Sequence, residues 1–242
     1  MKKAELHIFK SPEDLADKLA DLMMSWVDAQ SGNTFHMAIS GGKTPDLLFS
    51  ILAKKYADSS LWQKIHFWWV DERMVPPSDP ESNFGVAQKL LFSLISIPEE
   101  NIHRMKGENA PEAEALSYST QIQENVPQRN GWPVFDLILL GMGDDGHTAS
   151  IFPDQMDLLH SSHICEVATQ PQSGQKRVSL TGKVICSASK VCFLVTGSNK
   201  AERLSEIWNN PEKAKLLPAA HILPQKGNLE WYVDESAAQL LT

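Results

Sequence analysis

The sequence predicts an α/β fold, a Rossmann-like, mostly parallel sheet flanked by helices, on three observations. Short apolar runs alternate with amphipathic segments along the chain. The runs Phe35–Ile39, Ile65–Val70, Phe135–Leu140 and Val191–Val195 are nearly all apolar, as strands buried on both faces of a parallel sheet are. Each run then ends in a loop rich in glycine, acids or hydroxyls. Strands that alternate with helices form βαβ units. The alternation continues past the proline-containing stretches 74–80 and 127–133, which read as loops and not as linkers. Residues 1–242 therefore read as a single domain.

The helices follow in order. Ser11-Pro12-Glu13-Asp14 supplies an N-cap, a proline at the first helical position and acids in the first turn. Leu15, Leu19, Leu22, Met23, Trp26 and Val27 continue it at helical spacing. Thr44-Pro45-Asp46 opens a second helix with Leu47, Leu48, Ile51 and Leu52 on one face. Further helices are predicted over 84–95, 111–125 and 199–209. Trp62, Trp68 and Trp69 read as core aromatics.

Composition narrows the partners. Hydrophobic residues make up 42% and charged residues 21% of the 242, so a sizeable core can form. Lys and Arg number 22 against 30 Asp and Glu, a formal charge of −8. That balance argues against nucleic acid and anionic membranes as partners, because both want a basic footprint. A small anion would have to be held by cations and N–H groups gathered locally. The three cysteines, Cys165, Cys186 and Cys192, include no Cys-x-x-Cys and imply reduced thiols in the cytoplasm. Met1-Lys2-Lys3-Ala4-Glu5 leads into an acid-containing segment unlike a signal peptide. No stretch approaches the ~20 apolar residues that span a bilayer. His160 and His163 have no carboxylate or thiol at ligand spacing, so no metal site is expected.

Ligands of open α/β sheets bind outside the carboxyl ends of the strands, which directs attention to four loops. In Ser40-Gly41-Gly42-Lys43-Thr44 the glycines allow close backbone approach, the following helix offers free N–H groups, and Ser40 and Thr44 add hydroxyls. Asp71-Glu72-Arg73 reads as a turn in which Asp71 meets sugar hydroxyls and Arg73 meets phosphate. Gly141 to His147 turns sharply, with Gly143 among three glycines and His147 as a general base beside Asp144 and Asp145. Lys200 stands near a helix start, where a bound anion offsets its unfavourable place in the dipole. Arg177 is a second candidate cation.

Several of these blocks resemble the 6-phosphogluconolactonase family. They are Ser40-Gly41-Gly42-x-Thr44-Pro45, Asp71-Glu72-Arg73 with Ser82-Asn83-Phe84, and Gly141-Met142-Gly143-x-Asp145-Gly146-His147-Thr148-Ala149-Ser150-x-Phe152-Pro153. Arg177-Val178-Ser179-Leu180-Thr181 and Leu217-Pro218-Ala219 complete the likeness, which runs in family order from about residue 35 to 223. It implies the glucosamine-6-phosphate deaminase-like type of the fold and hydrolysis of 6-phospho-D-glucono-1,5-lactone in the oxidative pentose phosphate pathway. The related deaminases carry a proton-transferring Glu where this chain has Phe152, which disfavours a deaminase or isomerase. A non-catalytic sugar-phosphate sensor is the third reading, and it would not require His147.

On the lactonase reading His147, oriented by Asp71, Asp144 or Asp145, takes a proton from the attacking water. Backbone N–H groups of a Gly loop meet the oxyanion. Phosphate is held by the Ser40–Thr44 loop with Arg73, Arg177 and Lys200. No metal or organic cofactor is expected, since a lactone is already an activated ester. A monomer or weak homo-oligomer acting on a small phosphorylated lactone is the expected form.

Overall fold

A computed structural model describes residues 4–32, 34–224 and 226–241; Met1–Lys3 of the amino-terminal reading lie outside them. The strands are β1 (Glu5–Phe9), β2 (Phe35–Ile39), β3 (Ile65–Trp69), β4 (Asp71–Arg73), β5 (Gln128–Arg129), β6 (Trp132–Pro133), β7 (Leu137–Leu140), β8 (Cys165–Thr169), β9 (Lys176–Leu180), β10 (Lys190–Val195) and β11 (Asn228–Asp234). The α-helices are α1 (Pro12–Ala29), α2 (Lys43–Tyr56), α3 (Asn83–Leu90), α4 (Pro111–Asn125), α5 (Gly182–Ser187), α6 (Ala201–Asn209), α7 (Pro211–Ala214) and α8 (Glu235–Ala238).

Six strands form one parallel sheet in the order β1-β11-β10-β7-β2-β3. Interior strands β2 and β7 are buried along their whole length, whereas edge strand β1 is only partly covered. This is why the interior strands read as apolar runs and β1 does not. From β2 the chain moves outward to β3; from β7 it moves the other way, through β10 to β11. β2 and β7 are neighbours, so their carboxyl ends flank the point where the winding reverses, the place such sheets use for ligands.

The first helix forms as its sequence dictates. The Ser11 hydroxyl accepts the Asp14 N–H at 3.1 Å, Pro12 opens the helix, and Leu15, Leu19, Met23 and Val27 are buried. Trp62, Trp68 and Trp69 are core residues as expected. The helix predicted over 111–125 is α4.

Other expectations are corrected. Asp71-Glu72-Arg73 is not a turn but strand β4 of a second, antiparallel sheet ordered β4-β9-β8. Val70 accepts the Leu180 N–H at 2.7 Å as the chain passes between sheets, and Arg73 pairs opposite Arg177. Polar residues interrupt β8 and β9, so neither shows the apolar run of the interior strands. The stretch 127–133 holds the hairpin β5–β6, turned by Asn130 (φ 54°) and Gly131 (φ 80°). That is the left-handed pair that an Asn-Gly hairpin adopts. The helix expected over 84–95 is α3 followed by a 3-10 turn at Phe92–Leu94, and that expected from 199 begins as the 3-10 turn Ser198–Lys200.

Candidate active site

At the reversal point lies a cleft of about 230 Å³. Ser40 and Gly41 reach it from the end of β2, Asp71 and Arg73 from β4, and Asn83 from the start of α3. Gly141, Met142, Gly143, His147 and Ala149 come from the loop after β7, Arg177 from β9, and Lys200 from the turn before α6. Loops distant in sequence thus converge on one site.

The base is built by its own turn. Asp145 Oδ1 lies 2.6 Å from His147 Nδ1 and accepts the His147 backbone N–H at 3.0 Å. A carboxylate only accepts, so Nδ1 carries the hydrogen and Nε2 is left as the basic nitrogen. Burial alone would raise the Asp145 carboxyl, but the hydrogen bond and charge of His147 outweigh it and hold the group below the ordinary range. Of the three candidate acids it is Asp145 that hydrogen-bonds the His147 ring, while Asp71 bonds Ser150 and Asp144 bonds Asn199. A Cβ at Gly143 would overlap both the imidazole and the Asp145 carboxylate, so only glycine allows this approach. Gly143 N–H donates to the His147 carbonyl at 2.9 Å, closing the turn. Its amide is thereby spent inside the turn and is not free for an oxyanion or a phosphate. Phe152, fully buried, stands 4.8 Å from the imidazole centroid at 49°.

The cations have a different arrangement. The Ser150 hydroxyl donates to Asp71 Oδ2 at 2.6 Å, and Arg177 Nη1 lies 3.9 Å from the same oxygen. The Arg177 guanidinium sits over the Phe152 ring, 5.6 Å from its centroid, so one apolar ring supports both base and cation. Burial weakens the proton affinity of Arg177, with Asp71 opposing the shift. Arg73 donates to the Glu81 carbonyl at 2.6 Å. The Nε donors of Arg73 and Arg177 are both buried without a partner among the described residues. An unsatisfied buried donor costs roughly 1–3 kcal/mol, which an anion in the cleft would relieve. Lys200 is ion-paired with Asp144, which also accepts from Asn199 at 2.8 Å.

The Ser40–Thr44 loop is only partly in the site. Ser40 lines the cleft but donates its hydroxyl to the Leu139 carbonyl at 2.8 Å, tying β2 to β7. Thr44 bonds Thr196 at 2.7 Å; it, Gly42 and the exposed Lys43 do not line the cleft. Gly41 does, because a Cβ there would overlap the Asn83 amide. Asn83 and Ser150 are the site residues that sequence reasoning did not single out. Asn83 donates to the Asp71 carbonyl at 2.9 Å. Its place at an Asn-Phe helix start beside an acid pair was the available signal. Glu72 faces the other way and accepts the N–H groups of Arg73, Asn83 and Phe84, each at 2.8 Å, so it caps α3.

Comparisons with known proteins identify the family. The family described as glucosamine-6-phosphate isomerases/6-phosphogluconolactonase matches residues 10–231. A 6-phosphogluconolactonase of Haemophilus influenzae is 46% identical over 234 residues, 96% of this chain and 98% of that protein. One from Treponema pallidum is 40% identical over 88% of both. The crystal structure of a 6-phosphogluconolactonase from Leishmania guyanensis superposes with a TM-score of 0.87 at 26% identity, covering 99% of each chain. This chain belongs to the glucosamine-6-phosphate isomerase/6-phosphogluconolactonase family.

Proposed function

We infer that the protein hydrolyses the ring ester of 6-phospho-D-glucono-1,5-lactone to 6-phospho-D-gluconate, a step of the oxidative pentose phosphate pathway. The observation that carries this is the Asp145–His147 pair standing in the same cleft as Arg73, Arg177 and Lys200. His147 Nε2 takes a proton from water as its oxygen attacks the lactone carbonyl. The tetrahedral intermediate collapses by breaking the bond between that carbon and the ring oxygen, and the imidazolium returns its proton to the departing oxygen. Asp145 keeps the ring in register and stabilises its charged form. The three cations take the phosphate, and Asp71 accepts from a sugar hydroxyl.

Phe152 argues against a deaminase, since a buried phenyl ring cannot move a proton. A single domain acting as a monomer or weak homo-oligomer is the form that goes with this reading. Its three free cysteines suit the reducing cytoplasm. The test is a coupled assay in which glucose-6-phosphate dehydrogenase generates the lactone and its disappearance is followed. The protein accelerates disappearance well beyond buffer; a rate equal to spontaneous hydrolysis would refute the reading.

A further inference from the structure

A second cavity, of about 550 Å³, lies away from the catalytic cleft. Its wall includes Arg129 from the β5–β6 hairpin, Lys183 from α5 and Lys226 from the segment entering β11, with His160, His221 and Trp132. Arg129, Lys183 and Lys226 come from segments that lead into β7, β10 and β11, whereas the cleft sits where strands of that sheet end. No carboxylate lines the cavity, in a chain whose formal charge is −8.

What distinguishes these basic groups is how they are held. Arg129 donates to the Ser187 carbonyl at 2.9 Å. The Lys183 ammonium sits 5.5 Å from the centroid of the Trp132 ring. His221 Nε2 lies 2.9 Å from the Lys215 carbonyl, which makes that nitrogen the donor. Each partner is neutral, so each group is positioned without being compensated. Several basic groups elsewhere are instead ion-paired, among them Lys190 with Glu230, Lys200 with Asp144 and Arg203 with Glu206. Among the described residues no carboxylate pairs with Arg129, Lys183 or Lys226. Collecting like charges around one concavity raises the folded state's energy, and a multivalent anion removes that repulsion. The volume lies within the roughly 300–1,000 Å³ of small-ligand pockets.

We propose that this cavity is a second anion-binding site, for a small phosphate-bearing molecule with at least two negative charges. Arg129 grips it as a fork and Lys183 as a point charge, with Lys226 closing the rim. The site is separate from the catalytic one, and the proposal does not depend on the lactonase reading.

Inorganic pyrophosphate is the probe, titrated calorimetrically into the full chain at low salt. Two variants separate the sites: the double substitution Arg129→Gln with Lys183→Gln, and Arg177→Gln in the cleft. Wild type binds pyrophosphate, and the Arg177→Gln protein retains a binding event that is at least tenfold weaker in the double variant. Lactone hydrolysis by the double variant matches wild type, which shows that it is folded. A titration unchanged by the double substitution overturns the proposal. So does binding that disappears entirely with Arg177→Gln, since only the cleft would then be taking the anion. Tighter capture of a duplex oligonucleotide than of pyrophosphate at the same salt would assign the patch to nucleic acid and equally overturn it.

Discussion

The two ends of one sheet treat histidine in opposite ways. At the carboxyl ends His147 stands in the cleft wall on a glycine turn, with the Asp145 carboxylate on one nitrogen. At the amino ends His36 of β2 and His66 of β3 lie beside His103 in an aromatic cluster. His66 Nδ1 is 3.0 Å from His103 Nε2, His36 Nδ1 accepts the Trp68 indole N–H at 3.2 Å, and His103 stacks on Trp68 at 3.9 Å. Burial, and after it the charge of the neighbouring imidazoles, depresses His36 and His103 to about 4. The residue type is the same, and surroundings decide its use. A carboxylate and access to the cleft suit one ring to act as a base, while aromatic neighbours and lost water keep the buried His36 and the partly buried His66 and His103 neutral.

Removing the base tests that contrast most directly. His147→Ala lowers kcat in the coupled assay by about 10²–10⁴, the usual worth of a positioned acid–base group, with an unchanged thermal melt. The same substitution at His103 leaves kcat within a few fold and lowers Tm, because a ring stacked on Trp68 is lost.

Gly143→Ala comes next. The added methyl displaces the imidazole from Asp145, and kcat falls at least tenfold with KM little changed. Asp145→Asn sharpens the same point, since an amide NH₂ can favour the wrong tautomer; an undiminished rate would mean that Asp145 does not orient the base.

Acid probes the opposite end. The unfolded chain protonates His36 and His103 near the ordinary 6.5, while the folded protein resists until about 4. Unfolding therefore takes up protons in that window, and stability is complete above pH 6.5 and falls as pH drops toward 4. Each ring contributes on the order of 1–3 kcal/mol, read as a falling denaturant midpoint at successive pH values. A phenylalanine at position 36 flattens that fall if the cluster is its cause.

The cations come last. Arg177→Ala and Lys200→Ala raise KM by about tenfold, the cost of a charge-assisted contact, and a variant damaged only in kcat would contradict phosphate anchoring. Asp144→Asn, which frees Lys200 from a largely exposed partner, moves KM by no more than a few fold.

Much of this was legible before any coordinates. The interior strands announce themselves because both faces are covered, and the catalytic turn because three glycines, two acids and a histidine have no packing reason to stand together. Less legible were β4, β8 and β9, whose polar residues leave no apolar run, and Asn83 and Ser150, whose contacts with Asp71 lie outside their own turns. The Asn130-Gly131 hairpin was readable from its turn chemistry and was passed over in favour of a loop.

Local chemistry therefore determined by itself the parallel sheet and the glycine turn that sets His147 against Asp145, since periodicity and turn residues are short-range properties. Only the folded chain decided that Thr44 bonds Thr196 instead of facing the cleft, and that Arg73 and Arg177 pair across two strands. Those outcomes join residues more than a hundred positions apart, and they are set by how distant segments meet, which no short stretch of sequence encodes.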